Sequence, residues 1–185
     1  MLWLHTRILN TKIPNPSPRL GWVSVVSLLV VIVAVLLPPL PQPAEYHQFA
    51  DQRSFFGISR FNDVMSNLAF LSSGAAGLVF LWQVCRTPAS IQFQHRRESL
   101  PYWVLFLSVV LVTFGSIYYH WTPDTDHLLW DRLPIATGIG ALLAATITER
   151  IDPKLGLRSL PLLVVLGIFS VLYWHWSERQ GTGTI

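Results

Sequence analysis

Long stretches of this chain carry no charge and little polarity. Residues 20–37, 64–84, 100–119 and 159–174 hold no Asp, Glu, Lys or Arg, and residues 128–148 are equally apolar except for Asp131 and Arg132. A helix needs about 20 apolar residues to cross the roughly 30 Å hydrocarbon core of a bilayer, and each block reaches that length or falls a residue or two short before flanking Trp and Tyr are counted. The pattern predicts an all-α, polytopic transmembrane bundle with helices at roughly 20–38, 63–84, 100–120, 127–148 and 158–176, in a single domain over residues 1–185. The first block is longer than the apolar region of a signal peptide, and Pro38-Pro39-Leu40-Pro41 follows it without a small-residue cleavage site, so an uncleaved helix is expected there.

Composition agrees with the pattern. Hydrophobic residues make up 51% of the chain and charged ones only 12%, against about a quarter charged in soluble domains. A lone cysteine, Cys85, excludes an internal disulfide framework. The formal charge of +3 does not point to nucleic acid, because the basic residues alternate by loop. Arg7, Lys12, Arg19, Arg86, Arg96, Arg97, Arg150, Lys154 and Arg158 fall on one side, whereas the opposite loops carry only Arg53, Arg60 and Arg179. The positive-inside rule then predicts a cytoplasmic N-terminus, with residues 39–62, 120–127 and 177–185 outside. Trp and Tyr gather near the predicted helix ends, as an interfacial aromatic belt requires.

The polar residues within this frame collect at the non-cytoplasmic helix ends. Ser116 and His120 are four apart and share a helical face. A loop of seven residues follows, and Asp131 then lies about one turn into the next helix, so a short connection brings hydroxyl, imidazole and carboxylate to similar depth. Such a trio suits a nucleophile triad or a metal-bound water with supporting groups. Each residue also has an ordinary explanation: Ser116 bonding back to its helix, His120 resting at the interface, Asp131 pairing with Arg132. An ionisable group within a span is costly, however, and points to function. Asp63, Ser66 and Asn67 sit at the same level, Asn62 suits an N-cap, and Asn67 suits either a cap or a bond across helices. Ser72, Ser73, Gly74 and Gly77 read as a packing face. His175 falls at the outer end of the last block, as anchor or ligand. His47 and Asp51 precede the second helix and are placed to cover the cluster. Asp124, Asp126 and His127 suit the turn and cap before the fourth helix, while His5 and His95 lie on the other side. No HExxH motif, P-loop, GxSxG elbow or CxxC pair occurs.

Phe61…Ser66-Asn67, then Ser116-x-x-x-His120, then Asp131-x-Leu133-Pro134, taken in series, resemble the alkaline ceramidase family. That family belongs to a superfamily of seven-helix membrane hydrolases that includes the adiponectin-receptor type. The resemblance covers roughly residues 60–140. It implies a zinc-dependent hydrolase that cleaves the amide of ceramide-like lipids, with membrane lipids as its surroundings and partners. His120 would be a zinc ligand, and Ser116 and Asp131 catalytic supports of the metal and its water. The chain departs from the pattern in three places. Nothing after Asp131 matches the family's H-x-x-x-H pair, which leaves His175 as the remaining candidate metal ligand. The chain is then either a shortened member of a longer type or one with an incomplete site. Arg60 stands where the calcium-binding members have a glutamate, so no calcium is expected, and Arg132 replaces the glutamate of D-E-L-P. The alternative function is a non-catalytic membrane protein that binds lipid or a partner with a degraded site. A transporter is disfavoured, since its polar residues would lie near mid-membrane.

Overall fold

The computed structural model describes residues 42–86, 93 and 95–183, together with positions 25–26, 28–30, 32–33 and 36. The described positions within 25–36 are helical. The remainder of the first expected helix, and His5, lie outside the described residues. Residues 40–185 form one compact unit, and residues 1–39 are grouped apart from it.

Among the described residues there is no strand, only an isolated bridge between Phe55 and Ile58. The helices are α1 (Phe61–Ser66), α2 (Leu68–Arg86), α3 (Leu100–Trp121), α4 (Thr125–Arg150) and α5 (Pro153–Arg179), with short 3-10 turns at Ala44–His47 and Arg96–Ser99. The run Phe61–Arg86, the run Arg96–Trp121, α4 and α5 are each long and apolar enough to cross a membrane. The fold is an all-α bundle, and the protein belongs with integral membrane proteins. Large apolar side chains point outward along the helices, among them Leu107, Phe114, Ile139, Leu162, Val165 and Phe169. In lipid such a surface costs nothing.

The helices are longer than the apolar blocks that announced them, and caps explain the difference. Asp124 caps α4 by accepting the His127 amide at 2.7 Å, and Asp152 caps α5 by accepting the Leu155 amide at 2.7 Å. Pro153 occupies the first turn of α5, where its missing N–H leaves no bond unmade. At α1 the expectation fails. Its N-cap is Arg60, in the left-handed region at φ 52°, and no side chain of the helix itself caps it. Asp51, eleven residues upstream, accepts the Asn62 amide at 2.9 Å instead. The loop before the helix thus performs the capping expected of Asn62.

Sequential neighbours pack side by side: α2 on α3, α3 on α4, α4 on α5. The connections are only a few residues long, at 122–124 and 151–152, so α3, α4 and α5 run antiparallel. Small residues allow close contact, as transmembrane packing prefers. Gly74 fits against Val110 and Gly77 against the Phe106 ring, which bears out the expected packing role of these two glycines. Ser72 and Ser73 are exposed and bond back to their own helix at Ala69 and Phe70. At the end of the bundle that holds the α3–α4 turn, Tyr119, Leu128, Val171 and Trp174 form a buried core, joined by Phe49 from the preceding loop.

Candidate functional site

Pro134 lies inside α4 and has no N–H to give, so the Trp130 carbonyl one turn earlier loses its helical donor. That carbonyl faces Gly115 of α3. A Cβ on Gly115 would collide with it, and would also crowd the Asp131 Cα. Only glycine permits this approach, and the approach sets the next residue, Ser116, against Asp131. Ser116 is 6% exposed and lies beside the Asp131 carboxylate. His120, one turn further along α3, is near enough to Asp131 and Asp63 for each to act on it electrostatically. The three residues singled out by spacing therefore do gather at one end of the α3–α4 pair.

Two atoms in this cluster are buried and lack any hydrogen-bond partner: Asp131 Oδ1 and His120 Nδ1. An unsatisfied buried polar atom costs on the order of 1–3 kcal/mol. Arg60 reaches over the end of α3, donating from Nη1 to the carbonyls of Trp121 at 3.2 Å and His120 at 3.4 Å, while its Nε is likewise buried without a partner. Arg60 thus places a cation on the helix-terminal carbonyls of α3.

The loop of residues 42–60 straps this end of the bundle. Phe49 packs on the His120 ring with centroids 4.6 Å apart and on Tyr119 at 5.5 Å. His47 Nδ1 is 3.0 Å from the Tyr119 hydroxyl, and its Nε2 is 3.3 Å from Thr125 Oγ1 and 3.2 Å from Gln42 Nε2. Both ring nitrogens of His47 thus have polar partners, linking the strap to α3 and α4. Burial of the His47 ring lowers its pKa, with nearby Arg132 acting in the same sense and Asp124 opposing them. Asp51 is held below the usual carboxylate range, chiefly by its bond from Arg53 at 2.8 Å, with the Asn62 amide adding to the effect against its burial. Arg132 lies over the Trp174 ring, 3.9 Å from its centroid, and donates to the Tyr46 hydroxyl at 3.2 Å. It is not paired with Asp131. Spacing singled out His47 and Asp51 as covering residues but missed Phe49 and Gly115, which have no polar signature, and Tyr119, which counted only among the Tyr residues near the helix ends.

His175 does not join Ser116, His120 and Asp131. Its Nε2 is 2.8 Å from Asp126 Oδ1, and Asp126 also takes Arg179 at 2.9 Å. Asp126 links α4 to α5, and the cap expected of either acid in the turn falls to Asp124 alone. His127 Nδ1 lies 2.7 Å from Asp124 Oδ2. Asn67, 3% exposed, turns its amide back to the Asp63 carbonyl at 2.7 Å; it bridges the break between α1 and α2 rather than bonding across helices. Ser66 is exposed and bonds to the Asp63 carbonyl as well.

Among the described residues, no three His, Cys, Asp or Glu side chains converge as a metal site would need. A hydrolytic zinc takes three protein ligands and a water. His120 Nδ1 and Asp131 Oδ1, both without a partner, are donors of the kind such an ion takes. No known protein family, no curated protein and no solved structure matches this chain. The fold and the cluster define a class: a polytopic membrane protein with a buried polar site where two adjacent helices meet.

Proposed function

We propose that this cluster is the working end of a membrane hydrolase that cleaves the amide bond of ceramide-type lipids. One observation carries the reading: two unsatisfied buried atoms, on a histidine and a carboxylate, stand beside a serine hydroxyl within an otherwise apolar helix pair. His120 and Asp131 would hold a zinc ion, which when bound lowers the pKa of its water to about 7. Ser116, beside Asp131, would help to orient it. Asp131 would hold the ion through one carboxylate oxygen and use the other to position the water and carry its proton toward the leaving amine. Phe49 and Tyr119 shield His120 from bulk water. In this reading the site faces the non-cytoplasmic side, following the distribution of basic loops.

A second reading has its own observation. His175 is committed to Asp126 and Arg179, and without a third donor the chain would bind a lipid or partner without cleaving it. Purified protein in detergent, assayed for bound zinc and for fatty acid released from a ceramide, separates the two. The hydrolase reading expects zinc near one per chain and measurable release. His120→Ala should lose both, and Asp131→Asn should lower release by about a hundredfold or more. Folded protein that neither holds zinc nor releases fatty acid would leave the binding reading in place.

A further inference from the structure

The strap ends in a turn whose residues do not suit a tip standing in water. Phe55 N–H donates to the Ile58 carbonyl at 3.1 Å and Ile58 N–H to the Phe55 carbonyl at 2.9 Å, closing the chain over Phe56 and Gly57. Both central residues lie in the left-handed region, Phe56 at φ 51° and Gly57 at φ 77°. Asparagine followed by glycine meets that demand at least cost, whereas a phenylalanine strains the backbone there. Burial among the described residues does not offset the strain: Phe56 is 84% exposed and Phe55 55%. A Cβ on Gly57 would meet nothing within 4 Å of it, so the turn projects from the described residues. Residues 54–59 carry no charge.

The turn is held at the end of a membrane span. Phe61 N–H donates to the Arg53 carbonyl at 3.1 Å, and Asp51 accepts from the Asn62 amide and from Arg53 Nε. Residues 53–61 thereby close into a loop on the first turn of α1. The Phe55 ring meets the Phe61 ring edge-on with centroids 5.3 Å apart, and Phe56 lies 4.3 Å from Phe55. Phe61 opens the run Phe61–Arg86, which is long and apolar enough to cross a membrane. Met65 and Leu68 follow Phe61 at helical spacing and are exposed, while Val64 and Asn67 are buried in the bundle. The exposed rings thus continue, beyond the end of the span, an apolar row that faces outward along it. Two phenylalanines bury about 150–250 Å² each, short of the roughly 800 Å² per partner of a stable protein interface. A bilayer interface requires neither that area nor a complementary shape, and it accepts aromatic rings at this level. We propose that Phe55 and Phe56 form an aromatic wedge seated in the headgroup–acyl boundary of the surrounding bilayer, fastening the strap whose Phe49 lies on His120. Such a wedge serves a chain that cleaves lipid and one that only binds it.

Two measurements on the full chain in phosphatidylcholine nanodiscs test this. In a Cys85→Ser background, a single nitroxide is placed at Phe56→Cys, Glu45→Cys or Leu166→Cys. Power-saturation EPR then compares collisions with oxygen, enriched in the bilayer, and with a nickel chelate, confined to water. The Phe56 label should favour oxygen over the chelate, falling between the labels at Glu45 in the strap and Leu166 on the outward face of α5. A Phe56 label as open to the chelate as the Glu45 label would overturn the proposal. The second measurement needs no label: hydrogen exchange of the Ile58 and Phe61 amides in Phe56→Asn. Asparagine suits the left-handed backbone, so at a tip in water it would steady the loop and slow exchange. At a tip in the bilayer the lost ring outweighs that relief, and exchange should quicken by about threefold, with α3–α5 unchanged. Slower or unaltered exchange would overturn the wedge. So would a Phe56→Asn protein of smaller oligomeric mass than native, which would give the rings to a second copy of the chain.

Discussion

Gly115 shows how much of the site depends on a residue with no side chain. Its Cα lies where the Trp130 carbonyl, released by Pro134, needs room. Gly115→Ala should push α3 and α4 apart and cost about 1–3 kcal/mol, the usual range for overpacking. Thermal unfolding in detergent should show it as a lower Tm, beside a much smaller change for Gly138→Ala, where a methyl has space. Ser116, His120 and Asp131 were legible from spacing, because a short turn between antiparallel helices leaves little freedom in register. Gly115 was not legible, since a glycine in an apolar helix gives no hint of what it faces. Nor was the direction taken by His175, which depends on the α4–α5 register and on Asp126 competing for it.

The strap of residues 42–60 is the element that chain reading resolved least. Its residues lack periodicity, and its work is done by contacts far along the sequence: His47 with Tyr119 and Thr125, Asp51 with the Asn62 amide, Gln42 N–H with Glu178 at 3.3 Å. The long helices among the described residues, by contrast, were legible as apolar spans, though the second is broken at Asn67 and the last begins a turn earlier than its apolar block. His47 makes the strap sensitive to pH. Its pKa is lowered in the folded protein by burial, so the unfolded chain binds the proton more readily. The stabilisation from neutral His47 is complete above the unfolded value of about 6.5 and is lost as pH falls through the lower folded value. Tm should therefore decline between neutral and mildly acidic pH, and His47→Asn should flatten that part of the profile. Hydrogen exchange at residues 44–52 should quicken over the same interval. An acid response identical in His47→Asn would assign it to another group.

At the scale of the whole molecule, the outward faces of the helices decide where the protein can exist. Leu166, mid-way along α5 and 54% exposed, faces outward with Leu162, Val165 and Phe169. Leu166→Lys should impair membrane insertion by about 2.5–3.5 kcal/mol on the translocon scale, unless the amine reaches the interface. A glycosylation-mapping assay of α5 insertion would read this as a fall in the inserted fraction. Lys154 or Arg158 exchanged for Ala should change it far less, because both precede the apolar core of the helix.

The strap also divides the approaches to the cluster. Phe49 and Tyr119 lie over His120 on the polar side, while a groove below Asp131 is walled by Ile135, Ile139 and Leu142, all of which are exposed laterally. Under the proposed function, a lipid-soluble ligand would approach the cluster along this lateral face rather than past the aromatic rings over His120. Occupancy should then follow mole fraction in the bilayer rather than bulk concentration. Diluting a ligand with inert phospholipid at constant total amount should weaken its apparent affinity, as adding buffer would not. Competitors would be ranked by how they partition before they are ranked by how they fit.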